Sequence, residues 1–174
     1  MRIIITGFGP FLSNKENPSG EIASSLGGEI LEVSYSAVDS FLKETDADAL
    51  LCLGLSNKIE KPQLEIRAHN KVQHNTPDMN GVTLSKNTIE GRAKERYTIL
   101  DVDALHQSLL EQGYPCSIST DPGLYLCNYL YFKALGKTKG NAIFVHLPPF
   151  NQTWTREYMK AFITTILDEM TKVL

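Results

Sequence analysis

Long apolar runs are missing from this chain. None approaches the roughly 20 residues needed to cross a bilayer, so a membrane-spanning helix is excluded. Charge of one sign is missing too. The formal net charge is −3 over 174 residues, which gives no reason to expect nucleic acid or an anionic membrane as partner. Cysteine is sparse and odd in number. Cys52, Cys116 and Cys127 cannot all pair within one chain, and free thiols in a reducing cytoplasm are the simpler expectation. The four histidines lack the tight i, i+4 spacing or added cysteines of a zinc site, so no metal and no cofactor is expected. The glycines of "TGFGPF" precede no Gly-Lys-Ser/Thr and lack the third glycine of a dinucleotide fingerprint. The first residues, "MRIIITGFGPF", hold only three consecutive aliphatics. That is too short for a signal-peptide core and reads as a buried strand in a cytoplasmic protein. Linkers, repeats and low-complexity segments are absent, and residues 1–174 read as one domain.

What is present alternates between two periodicities. "RIIIT" (2–6), "EILEVSYSA" (29–37), "DALLCLGLS" (48–56), "LEIRAHN" (64–70), "CSIST" (116–120) and "NAIFVHLPP" (141–149) read as strands. Helices are expected after Asn17-Pro18, over "VDSFLKETDA" (38–47), from Asp101 to a stop at Gly113, over "LYLCNYLYFKAL" (124–135) and over "TREYMKAFITTILDEMTKVL" (155–174). Residues 71–98 are polar and read as a long loop with turn chemistry at "TPDMNG". Strands alternating with helices predict an α/β domain of three layers, α/β/α, with a largely parallel central sheet. In such folds sites collect where strand ends meet helix starts.

Three residues stand at such places. Cys127 lies near a helix start, where a thiol is either core filler or a nucleophile whose thiolate form is favoured. His146 ends an apolar strand, where it is either satisfied by a carbonyl or protrudes as a base. Glu65 sits in a segment otherwise fit to be inside, which is costly for an unpaired carboxylate. Arg67, two residues on, is its local partner if the strand is continuous; an imidazole is the functional alternative. Cys52 and Cys116 read as core. Phe8 and Phe11 flank Gly9-Pro10 on a turn. They are either core anchors or the walls of a pocket for a small flat ring.

Together, "TGFGPF", "NPS" (17–19), "GYPCSISTDPGLYLCNY" (113–129) and "AIFVHLP" (142–148) resemble the pyrrolidone carboxyl peptidase family of cysteine peptidases, in the same order over nearly the whole chain. The most specific part is the match of Ser119, Asp121, Gly123, Tyr125, Leu126 and Asn128 around Cys127. The resemblance implies a catalytic triad of Cys127, His146 and Glu65. It implies a pocket in which Phe8 and Phe11 hold a 5-oxoproline ring, and a peptide with N-terminal pyroglutamate as substrate. This chain departs from the pattern at Gln63, Ile66 and Arg67 around the acid, at Asn75 and Thr76 in the loop, and at Pro122 before Gly123. It is also shorter near residues 29–38 and around the histidine. The same triad on another small amide, and a ligand-binding relative without turnover, are the alternatives. Whether copies of the chain form a homo-oligomer is left open by the sequence.

Overall fold

The computed structural model describes residues 1–174. Its elements in chain order are β1 (Ile3–Phe8), α1 (Pro18–Ser25), β2 (Glu29–Leu31), α2 (Tyr35–Glu44), β3 (Ala49–Leu55), β4 (Gln63–Glu65), β5 (Arg67–His69), β6 (Glu95–Tyr97), α3 (Val102–Glu111), β7 (Ser117–Ser119), α4 (Leu126–Lys137), β8 (Ala142–Leu147) and α5 (Arg156–Val173). Six strands form one sheet in the order β2-β1-β3-β8-β4-β7. β2, β1, β3 and β8 run parallel, whereas β4 pairs antiparallel with β8 and parallel with β7. β5 and β6 make a separate antiparallel pair.

The central strands are apolar on both faces because helices cover both. One buried cluster takes Leu51, Leu53, Ile143 and Val145 from β3 and β8 and packs them against Met159, Phe162 and Ile166 of α5 and Leu105 and Leu109 of α3. The other takes the alternate residues, Leu50, Cys52, Ala142 and Phe144, and packs them against Leu130, Phe132 and Leu135 of α4 and Val38 and Leu42 of α2. Successive strand side chains face opposite ways, so one continuous apolar run feeds both cores. The expected three-layer α/β fold with a largely parallel sheet is the one found.

Two local expectations change. The segment 29–37 is a strand only to Leu31. Ser34 accepts from the Ala37 N–H and Asp78 from the Tyr35 N–H, so α2 starts at Tyr35 rather than at Val38. "LEIRAHN" is not one strand. The chain leaves the main sheet at Ile66, and β4 and β5 belong to different sheets. The stretch 71–98 is irregular as expected, apart from β6 near its end.

Candidate active site

The first strand and the start of α1 lock together. Asn17 accepts from the Ser19 N–H at 3.1 Å and donates to the Gly9 carbonyl at 2.9 Å, while Ser19 Oγ accepts from the Phe8 N–H at 3.1 Å. A side chain at Gly7 would meet the Ser19 carbonyl oxygen at 2.0 Å, and one at Gly20 the Phe8 carbonyl oxygen at 2.3 Å. The "TGFGPF" and "NPS" segments are therefore two halves of one joint. That joint fixes where the chain leaves β1 with its two phenylalanines. Phe8 is buried in the core cluster shared with Val33, Tyr35 and Leu126; Phe11 packs half-buried against the same cluster, as do Tyr125 and Cys127. A cleft of about 680 Å³ beside Phe8, Pro10 and Lys15 is lined by none of Cys127, His146, Glu65 and Phe11.

Cys127 occupies the second position of α4, inside an N-terminus that carries no side-chain cap and no acidic residue in its first turn. The N–H groups of Leu126, Cys127 and Asn128 donate to nothing in the protein; the first helical bond is from the Tyr129 N–H to the Tyr125 carbonyl. Such an end carries unsatisfied donors and a partial positive charge, which favours an anion. The thiol is half-buried and unpaired, while Cys52 and Cys116 are fully enclosed and also free. Burial pushes the Cys52 thiol up to about 12 and the Cys116 thiol up to about 11.

His146 sits near the end of β8 and Glu65 ends β4, the strand antiparallel to it. His146 Nδ1 lies 2.8 Å from Glu65 Oε1, with the carboxylate wholly buried. The Tyr131 hydroxyl donates to the Glu65 backbone carbonyl at 2.7 Å, tying α4 to the acid. Burial works against a charged His146. It is outweighed by the charge and hydrogen bonding of Cys127 and then of Glu65, and the imidazole is pushed up to about 10. Glu65 holds His146 through Nδ1, and Cys127 comes close to the same place: its sulfur lies 2.8 Å from where a Cβ would stand on Gly54, the β3 residue paired with His146. Arg67 is not the partner of Glu65. The break at Ile66 sends Arg67 to Glu95, at 3.0 Å, and to the Thr120 carbonyl, at 2.8 Å.

One contributor escaped the sequence reading. Gly54 of β3 is paired in register with His146. A Cβ built there would lie 2.8 Å from Cys127 Sγ and 2.7 Å from the Phe144 ring. Only a glycine lets the sulfur settle onto the sheet beside the histidine. The available signal was a lone Gly inside a buried strand, which marks a close approach. Asn128 is a second omission as a structural part: its side chain accepts from the His69 N–H and donates to the His69 and Lys71 carbonyls, joining the residue after Cys127 to the segment after Glu65.

Two of the remaining three histidines are occupied elsewhere. His106 Nε2 is 3.0 Å from the Cys116 carbonyl oxygen, and His69 stands between Glu95 and Asp121. No three His, Cys, Asp or Glu side chains cluster so as to hold a metal ion, and no helix is long and apolar enough to cross a membrane.

Comparison with known proteins extends this geometry. The profile of the pyroglutamyl peptidase family matches residues 1–162. The chain is 31% identical over 167 residues to the pyrrolidone-carboxylate peptidase of Thermococcus litoralis, covering 84% of this chain and 76% of that protein. It is 25% identical over 189 residues to pyroglutamyl-peptidase 1 of Rattus norvegicus, covering 99% and 90%. A mutant pyrrolidone carboxyl peptidase from Pyrococcus furiosus superimposes over 100% of both chains with a TM-score of 0.88 at 23% identity, a likeness of fold.

Proposed function

The chain belongs to the pyroglutamyl peptidase family, and from that premise we propose that it hydrolyses the amide bond after an N-terminal pyroglutamate through Cys127, His146 and Glu65. The observation that carries this reading is the Glu65–His146 contact at 2.8 Å beside a cysteine on an uncapped helix start. Cys127 thiolate attacks the pyroglutamyl carbonyl carbon. The oxyanion that forms is met by N–H groups of the first turn of α4, which are already aligned and unengaged. The imidazolium of His146 gives its proton to the leaving amine as the C–N bond breaks, leaving a thioester on Cys127. Water then attacks the thioester, His146 takes its proton, and free pyroglutamate leaves as the thiolate is restored. Glu65 keeps Nδ1 engaged, so that the other ring nitrogen faces the reaction, and stabilises the cation.

Specificity follows from the ring. Pyroglutamate has no free α-amine, so its pocket needs apolar walls and a few hydrogen bonds rather than a counter-ion. Phe8 is a buried member of the cluster that also receives Cys127, Phe11 packs half-buried against it, and in this reading the two rings supply those walls. The test is hydrolysis of a coumarin amide of pyroglutamate set against the prolyl and glutamyl amides. Release from the first alone is expected. Equal release from the prolyl amide would move the activity to another small amide, and release from none would leave a ligand-binding relative.

A further inference from the structure

A cleft of about 700 Å³ opens between the segment after β5 and the loop before β6. Its lining includes Lys71, His74, Arg92, Lys94, His69 and Leu124. Lys71, Arg92 and Lys94 form none of the protein's ion pairs, so three unpaired cations share one cleft with a single carboxylate, Glu95. Glu95 is engaged by Arg67 at 3.0 Å, the Tyr97 hydroxyl at 2.7 Å and His69 at 3.5 Å, and Glu90, outside the lining, by Arg96 at 2.7 Å. In a chain whose net charge is −3, this is a local excess of positive charge.

The cleft is built rigidly although its backbone is irregular. Buried Asn70 donates to the Glu90 and Ala93 carbonyls at 2.8 and 2.7 Å and accepts from the Ile89 and Glu90 N–H groups at 2.7 and 3.1 Å. Backbone bonds from Asn70 to Lys94 and from Val72 to Asn87 close the two walls. The floor is tied to the nucleophile. Asn128, next to Cys127, holds the His69 and Lys71 backbone at 2.8 to 3.0 Å, and the Gln73 N–H donates to the Leu124 carbonyl at 3.0 Å.

We propose that this cleft receives the leaving peptide of the substrate and selects leaving segments that carry carboxylates. The inference rests on the hydrolase reading above. A pyroglutamyl ring ends the substrate on its own side, so every further residue lies on the leaving side of the scissile bond. An extended segment advances about 3.3–3.6 Å per residue. Exposed Leu124, three residues before Cys127, lines the cleft, so the first few residues beyond the scissile bond reach the floor over Leu124 rather than over Asn128, which is fully buried. Exposed cations then contribute selectivity rather than large affinity, and they do so in a salt-dependent way.

The test compares kcat/KM for pyroglutamyl peptides that differ only in Asp and Glu against Asn and Gln beyond the pyroglutamate, each with a free and an amidated C-terminus. The free-acid arm separates a terminal carboxylate from an acidic side chain. At low salt the acidic peptides are expected to be preferred by roughly fivefold or more, with the preference shrinking as salt is added. The ratio should collapse toward one in the Lys71→Gln, Arg92→Gln, Lys94→Gln triple variant. Equal kcat/KM for acidic and amide peptides, or a ratio kept in the triple variant, overturns the proposal. If no peptide is hydrolysed, the hydrolase reading fails. Calorimetric binding of the same peptides to Cys127→Ala protein then decides the cleft by itself. Tighter binding of the acidic peptides that the triple variant loses supports the cleft, and indifferent binding refutes it.

Discussion

Gly54→Ala adds one methyl group in the middle of the proposed machinery. The new Cβ would stand 2.8 Å from Cys127 Sγ and 2.7 and 2.9 Å from two atoms of the Phe144 ring. Ordinary contact begins near 3.4 Å, so sulfur, ring or strand must give way by about 0.6 Å. Neither the ring nor the strand has room: β3 and Phe144 are both buried, with β3 held between β1 and β8. Overpacking of this kind costs about 1–3 kcal/mol of stability. The sulfur is the least confined of the three, and misplacing a reacting atom by about 1 Å costs on the order of 100-fold in rate. The expected result is a folded protein with a moderately lowered Tm and a kcat at least tenfold down. Iodoacetamide labelling of Cys127 should change as well, because its place against His146 changes. The assay is turnover of a pyroglutamyl coumarin amide beside a thermal melt. Wild-type kcat with an unchanged Tm would show that the sulfur does not rest on Gly54, and the assembled geometry would be wrong.

Other outcomes follow from the same site. Iodoacetamide at neutral pH should label Cys127 in the native protein and spare Cys52 and Cys116, whose thiols burial holds near 12 and 11; a mass map showing equal labelling would contradict this. His146 is raised from its ordinary 6.5 to about 10, so the protonated form needed by the leaving amine persists upward through pH 8, and kcat should fall only as pH approaches 10. A decline already complete by pH 8 would mean the imidazolium is not held. Phe11→Ala should raise KM for pyroglutamyl amides, roughly tenfold at 25 cal/mol per Å² of lost ring contact, while leaving Cys127 alkylation unchanged. A lower Tm with unaltered kcat/KM would make Phe11 a core anchor only.

Much of this architecture was legible because its signals are local. The apolar runs "ALLCLGL" and "AIFVHL" announce strands covered on both faces, and Asn17-Pro18 announces α1. The start of α2 is set by a local cap that the alternation of 29–37 hides, Ser34 accepting from the Ala37 N–H, and by Asp78, 43 residues away, accepting from the Tyr35 N–H. The second partner leaves no mark beside the helix. The break at Ile66 was invisible for a related reason. Arg67 and His69 alternate with Glu65 as in one strand, and only their partners Glu95 and Asp121 show that the chain has changed sheets. At the site, residue chemistry and position made Cys127, His146 and Glu65 candidates with alternatives open, and the family resemblance joined them into a triad. Gly54 was missed because its role is to be empty, which a sequence shows only as a glycine among leucines.

The measurement that bears most directly on the central claim is kcat/KM for a pyroglutamyl coumarin amide in wild type, Cys127→Ala, His146→Ala and the double variant. Groups that act as one unit lose their contribution together. The expectation is rapid release by the wild type, near-complete loss in either single variant, and little further loss in the double. Activity retained by Cys127→Ala, or losses at the two positions that multiply independently, would contradict the account.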